Sequence, residues 1–419
     1  MPTLSKLPGE VLTEILRRLP DWQSLMAASL TCQRLHSYIQ SYQPIAADIV
    51  EAEVGESLLP YLIVASLGAS LPRPFEKAWF LISHLYDKPE AIMVAYRAMS
   101  PRGILRMGHF HEYVCLLTHE WASDSWTHMN MHDKKIRALF KFRESRRPTM
   151  VDAEIKMSKA EKIRWARAIY RFEILVHFFR SGDVAQRTIA KLRHAYLAKH
   201  PAWELEQITA VIDFLDYRLL YATYETTAKY EDLAGKDAYD LRVGPHKPNR
   251  QTWGLSFLRR VELAKSIEDQ RDILATGLEK GSAQPANSMQ HYQEAVARNA
   301  AVPPQLYHFH TGEMEAMILA ETNKGNVDVG PYTCWRQSHA ALSGCNWAST
   351  RENQSLRMIA YVFWDQERIQ TWDLKVLCGW LKDNDFIRPD PKDSKETTSL
   401  SKPTMTPRWA RVLRDFRSI

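Results

Sequence analysis

Apolar and polar positions between residues 7 and 39 fall into three short helical bursts separated by turn formers. Val11, Leu12, Ile15, Leu16 and Leu19 recur at steps that place them on one stripe of an amphipathic helix. Pro8 suits its first turn, where a missing N–H costs nothing, and Glu10 early with Arg17 and Arg18 late match the helix dipole. Pro20 stops this helix, and Asp21 is a good N-cap for a second one with Trp22, Leu25 and Met26 on its apolar face. Thr31 is expected to cap a third, in which Cys32, Leu35, His36 and Ile39 recur at helical steps.

Longer helical patterns follow. Ser158 and Glu161 have the spacing of a capping box, and Trp165, Ile169, Phe172, Val176 and Phe179 form a helical stripe that Gly182 ends. A second pattern starts at Pro201 and runs through Trp203, Ile208, Val211, Ile212, Leu215 and Leu219. Further helices are expected over 255–274 and 312–322, with a polar loop over 281–304. Aromatic stripes of this kind are core faces rather than cofactor boxes. The stretch 389–407 is too poor in apolar residues to pack, whereas Trp409, Val412, Leu413 and Phe416 are spaced for a terminal helix.

Composition narrows the class. Only 16 glycines and 21 prolines in 419 residues exclude a collagen-like chain and argue against a turn-dense β protein. The expected fold class is therefore mainly α. Five scattered cysteines, Cys32, Cys115, Cys334, Cys345 and Cys378, do not make a disulfide framework, and no Cys-x-x-Cys pair supports a zinc site around His339. The opening residues lack the pattern of a signal peptide, and the apolar window 57–71 is too short for a bilayer and holds Pro60. A soluble protein of the cytoplasm or nucleus, with no membrane partner, is the expectation. The net charge of +6 is uneven, since residues 131–200 hold 18 Lys/Arg against 7 Asp/Glu. Lys134, Lys135, Lys141, Arg143, Arg146 and Arg147 are the densest group. These charges alternate with apolar residues at helical spacing, which fits a solvated helix face better than a nucleic-acid surface.

Candidate chemistry is sparse. Phosphate-binding, dinucleotide-binding, nucleophile-elbow and zinc-protease motifs are all absent. His109, His111, His119, His128 and His132 cluster with Glu112, Glu120, Asp124 and Asp133, and His128 and His132 would share a helix face. His308 and His310 lie near Glu313 and Glu315. Ordinary surface or hydrogen-bonded histidines are the commoner explanation, so no metal or cofactor is expected. A Cys–His nucleophile stays open, with no cysteine favoured.

Three short helices cannot enclose the apolar residues of the N-terminal segment, so the surplus docks on the rest of the chain or on a partner. Leu7-Pro8, Glu10, Val11-Leu12, Ile15-Leu16, Leu19-Pro20, Leu25, Leu30-Thr31-Cys32 and Arg34-Leu35 resemble an F-box. Leu35 is a departure, since many members carry tryptophan there. The resemblance implies a three-helix module over residues 1–43 that binds a Skp-family adaptor and, through it, a cullin scaffold. Leu7, Pro8, Val11, Leu12, Ile15, Leu16, Leu19, Pro20, Leu25, Leu30, Cys32 and Leu35 would hold the module or touch the adaptor. It also implies a non-catalytic ubiquitin-ligase subunit whose remaining residues receive an unknown substrate protein.

Segments around residues 157–180, 200–219 and 356–374 resemble, more loosely, parts of filamentous-fungal F-box proteins, implying a fungal source. That resemblance suggests one large, irregular helical domain over 46–386, a disordered linker over 387–407 and a terminal helix over 408–419. No leucine-rich or kelch period appears, and Trp364-Asp365 and Trp372-Asp373 stand too close together for successive propeller blades. The rival function is a helical scaffold or nucleic-acid-binding protein that uses residues 131–200 and keeps the F-box for its own turnover.

Overall fold

The computed structural model describes residues 7–70, 75–140, 155–179, 192–193, 195–197, 199–229, 254–279, 329–339 and 356–370. They form helices α1 (Gly9–Arg17), α2 (Trp22–Ser29), α3 (Gln33–Ser41), α4 (Gln43–Val54), α5 (Leu59–Ser70), α6 (Phe75–Asp87) and α7 (Pro89–Arg97). The series continues with α8 (Pro101–Phe140), α9 (Lys159–Phe179), α10 (Ala202–Lys229), α11 (Gly254–Glu262), α12 (Ile267–Glu279), α13 (Gly330–His339) and α14 (Gln366–Gln370). No strand occurs among the described residues, and none of their helices is long and apolar enough to cross a membrane. The stretches expected over 281–304, 312–322 and 387–419 lie outside the described residues.

One apolar core runs from Leu12 in α1 to Trp364 near α14. The 40-residue helix α8 is its spine, packing against α3, α4, α5 and α9. Helix α9 lies between α5 and α10. Close packing against α5 is possible because Gly68 has no side chain: a Cβ there would stand 2.5 Å from the Phe178 ring.

The capping box at the start of α9 forms as its spacing predicts. The Ser158 hydroxyl accepts from the Glu161 N–H at 3.0 Å, and the Glu161 carboxylate accepts from the Ser158 N–H at 2.9 Å. Glu161 also accepts from the Asp365 N–H at 3.1 Å and from Arg368 at 2.7 and 2.8 Å. The cap is thus a clamp on a distant segment as well.

That segment, residues 356–364, is non-helical over much of its length and fully buried. Irregular backbone inside a core needs partners for its polar groups. Arg164 donates to the Phe363 carbonyl at 2.9 Å, Gln207 to the Val362 carbonyl at 2.8 Å, and the Trp364 indole to the Ile359 carbonyl at 2.9 Å. Around it Trp165 stacks on Phe363 at 4.7 Å and Trp121 on Phe214 at 4.8 Å. Trp364 of the Trp-Asp dipeptide is therefore a core residue, packed edge-on against Trp126 and Trp165.

Two sequence expectations for the helical body differ from the structure. The helix expected over 255–274 is broken into α11 and α12, because the Gln270 side chain takes the Val261 carbonyl at 3.2 Å and Ser266 caps the Asp269 N–H at 3.0 Å. The basic stretch does not face solvent throughout either. Arg164 and Arg171 are buried, Arg164 paired with Asp365 and Arg171 with Glu204.

A third buried arginine, Arg357, pairs with Asp213 at 2.5 Å and lies 3.5 Å from Glu206, which also accepts from the Tyr361 hydroxyl at 2.9 Å. Burial pushes Glu206 up to about 7, with Arg357 and Tyr361 pulling the other way. A carboxyl raised above its ordinary value of 4.5 leaves the fold unpenalised below that pH, and stability is lost as pH rises toward about 7. Glu206→Gln removes this ionisation. Its urea midpoint should exceed that of the unaltered protein at pH 8, and the gap should shrink by pH 5; an equal gap at both values would contradict the assignment.

Candidate functional site

Helix α1 begins after Pro8, in extended conformation (φ −55°, ψ 152°), and ends with Arg18 and Leu19 N–H groups bonded to the Ile15 and Leu16 carbonyls. Asp21 caps α2 as expected, its carboxylate accepting from the Ser24 N–H at 2.7 Å. The cap of α3 differs from expectation. Cys32 occupies it without a side-chain bond, and the Thr31 hydroxyl instead turns back to donate to the Ala28 carbonyl at 2.8 Å. Helix α3 is tied to α1 through Tyr38, whose hydroxyl donates to the Gly9 carbonyl at 2.9 Å and lies 2.7 Å from the Thr13 hydroxyl. Arg34 donates to the Leu7 carbonyl at 2.7 Å.

The structure divides the twelve residues singled out in the sequence into a buried, a half-buried and an exposed set. Leu12, Leu16, Leu25 and Leu35 are buried, together with Trp22 and Ile39. Leu7, Leu19 and Cys32 are half-buried. Pro8, Val11, Ile15, Pro20 and Leu30 are exposed. Val11 and Ile15 keep 42% and 40% of their surface, and Leu30 keeps 62%. Four residues apart on α1, Val11 and Ile15 adjoin on one helix face. Part of the apolar surplus packs against the rest of the chain, and part stays outward.

The inward set packs on α4 and α8. The Trp22 indole rests on Gly108 of α8, where a Cβ would stand 2.7 Å from its ring, and meets the His109 ring edge-on at 5.0 Å. Around it the Trp22 backbone N–H donates to Glu53 at 3.0 Å, Gln23 donates to Glu112 at 2.8 Å, and Arg17 donates to Asp48 at 2.9 Å. Sequence had placed Trp22 and Ile39 on apolar faces without making them part of the site. Gly108 carried no signal, because its role appears only when α8 is set against α2.

Residues 4–45 match the family model of the F-box domain. The N-terminal module is an F-box. Domains of this family generally bind Skp-type adaptors of ubiquitin ligases. No curated protein and no solved structure matches the chain, so the helical body beyond the F-box is described by its own geometry alone.

The other candidate chemistry divides in the same way. His111 and Cys115 do meet, with Sγ 3.4 Å from Nε2, and His111 Nδ1 lies 2.5 Å from the Tyr170 hydroxyl. Burial pushes His111 down to about 4, against Glu112. Although part of Cys115 reaches solvent, the atoms crowded round its thiol push it up to about 12, with Glu53 and Glu112 acting in the same direction. Both groups are therefore held neutral, the reverse of the thiolate–imidazolium pair a nucleophile needs. Among the described residues no three His, Cys, Asp or Glu side chains gather as metal ligands. The side chains of His128 and His132, and all of His308, His310, Cys345 and Cys378, lie outside those residues.

The contact of F-box and body yields a direct test. Gly108→Ala should push the indole off α8 and destabilise the fold by about 1–3 kcal/mol, the usual range for overpacking a tight contact. A lowered urea midpoint with altered tryptophan near-ultraviolet dichroism would report it, and an unchanged midpoint would contradict the contact.

Proposed function

We propose that the protein is the substrate-recognition subunit of a Skp–cullin-type ubiquitin ligase, in which Val11, Ile15 and Leu30 meet the Skp adaptor and the helical body receives a substrate protein. The observation that carries this reading is the exposure of those three apolar side chains within a module whose Leu12, Leu16, Leu25 and Leu35 are buried. Isolated exposed leucines are common, but three in one recognised docking module have an evident use. The contribution to ubiquitin transfer is proximity: binding both proteins raises the concentration of substrate at the ligase. The packing of Trp22 on α8 supports it, since a substrate on the body would then be held close to the adaptor. The inward turn of Arg164 and Arg171 removes charge from the face a nucleic-acid partner would need.

Co-purification with a Skp adaptor tests the reading. Val11→Glu and Leu30→Glu should each weaken binding by about tenfold or more, the effect of losing a central apolar contact. Their thermal stability should hold, because both positions are exposed. Val94→Glu, at an exposed apolar position on α7, should bind normally. Leu16→Asp should lose binding for a different reason, unfolding the module by burying a charge. Undiminished binding by both Val11→Glu and Leu30→Glu would contradict the proposal.

A further inference from the structure

Helix α9 carries Arg164, Arg167 and Arg171 at helical spacing, so the three share a face. Arg164 is fully engaged by the Phe363 carbonyl and Asp365. The other two are not. Arg171, with a side chain only 3% exposed, reaches Glu204 at 3.0 Å and the Tyr61 hydroxyl at 3.5 Å, and its guanidinium lies 5.3 Å from the Tyr61 ring centre. Its Nε and Nη1 are buried with no hydrogen-bond partner among the described residues. Arg167, half-buried one turn earlier, has no hydrogen bond or ion pair among the described residues.

The charges there do not balance. Glu204 is the carboxylate paired with this group among the described residues, and it is shared with His200, whose Nδ1 lies 3.4 Å away. The other nitrogen of His200 lies 3.0 Å from the Tyr86 hydroxyl. Burial, with Arg171 beside it, pushes His200 down to about 4, so that ring is neutral. Glu204 is held well below the usual carboxylate range: burial opposes this, but the Arg171 guanidinium outweighs it. Two guanidiniums therefore face one carboxylate. An uncompensated buried charge and open N–H groups are each costly, and an ordered water would answer only the second.

We propose that Arg167 and Arg171 bind a small oxyanion of phosphate type at the junction of α5, α9 and α10. An anion supplies both the missing charge and the missing acceptors, and guanidinium forks pair naturally with two oxygens of one phosphate. Glu204 lies in the first turn of α10, so the positive end of that helix adds to the attraction. This site is separate from the adaptor face and independent of it.

The test is calorimetric titration of the full chain with orthophosphate at constant ionic strength, beside thermal melts. Arg171 is buried too deeply for a clean deletion, so Arg167→Met is the variant to use. The unaltered protein should show saturable single-site binding, weakened about tenfold or more in Arg167→Met, which is about 1.4 kcal/mol. Phosphate should raise the melting temperature of the unaltered protein and not of the variant. Without phosphate the variant should melt higher, having lost an unpaired, half-buried charge. Arg167→Lys should recover part of the binding. O-phosphoserine in a parallel titration separates the sources: tighter binding than orthophosphate assigns the site to a phosphate carried on a larger molecule, weaker binding to the free ion. Absence of saturable binding, or an equal phosphate response in Arg167→Met, would overturn the site.

Discussion

The seating of Trp22 on Gly108 is the contact from which the rest of the N-terminal architecture follows. Three helices of eight or nine residues cannot bury their own apolar surface, and an isolated module of that size is marginal at best. Here Leu12, Leu16, Trp22, Leu25, Leu35 and Ile39 are covered by α4 and α8, each such side chain worth about 1.5–3 kcal/mol when removed from water. A single residue, Tyr42, separates α3 from α4, so there is no loose tether between the F-box and the body. The residues turned away from that contact, Val11, Ile15 and Leu30, are thereby fixed in place as the free face.

Much of this was legible in the sequence, and for identifiable reasons. Helical spacing alone marked the stripe of α1, and local capping chemistry marked Asp21 and the Ser158–Glu161 pair, because those interactions close within four residues. The division of the F-box leucines into inward and outward sets was not legible, since it depends on where α4 and α8 lie. Thr31 was misread as a cap because a hydroxyl that can serve the next helix can equally bond back to the previous one. The break between α11 and α12 left a trace in Ser266 and Asp269, but the periodicity of the flanking apolar residues outweighed it.

Charge was the least legible quantity. A run of Lys and Arg between apolar residues ordinarily means a solvated face, yet Arg164 and Arg171 point inward, as does Arg357 farther along the chain. Together they hold an irregular core segment in place and join two neighbouring helices. Their partners, Asp365, Glu204, Asp213 and Glu206, come from distant parts of the chain, so no local pattern announces them. Such pairs contribute little to net stability, because desolvation offsets most of the attraction. Where the pairing is incomplete, as at Arg167 and Arg171, the same physics turns a structural feature into a place for a ligand.

Hydrogen–deuterium exchange of the full chain, with and without a Skp adaptor, tests the central claim most directly. The account predicts added protection in α1 and at the α2–α3 turn around Leu30, with α9 and α10 unchanged. Protection confined to α6 and α7, or no change anywhere at saturating adaptor, would contradict it.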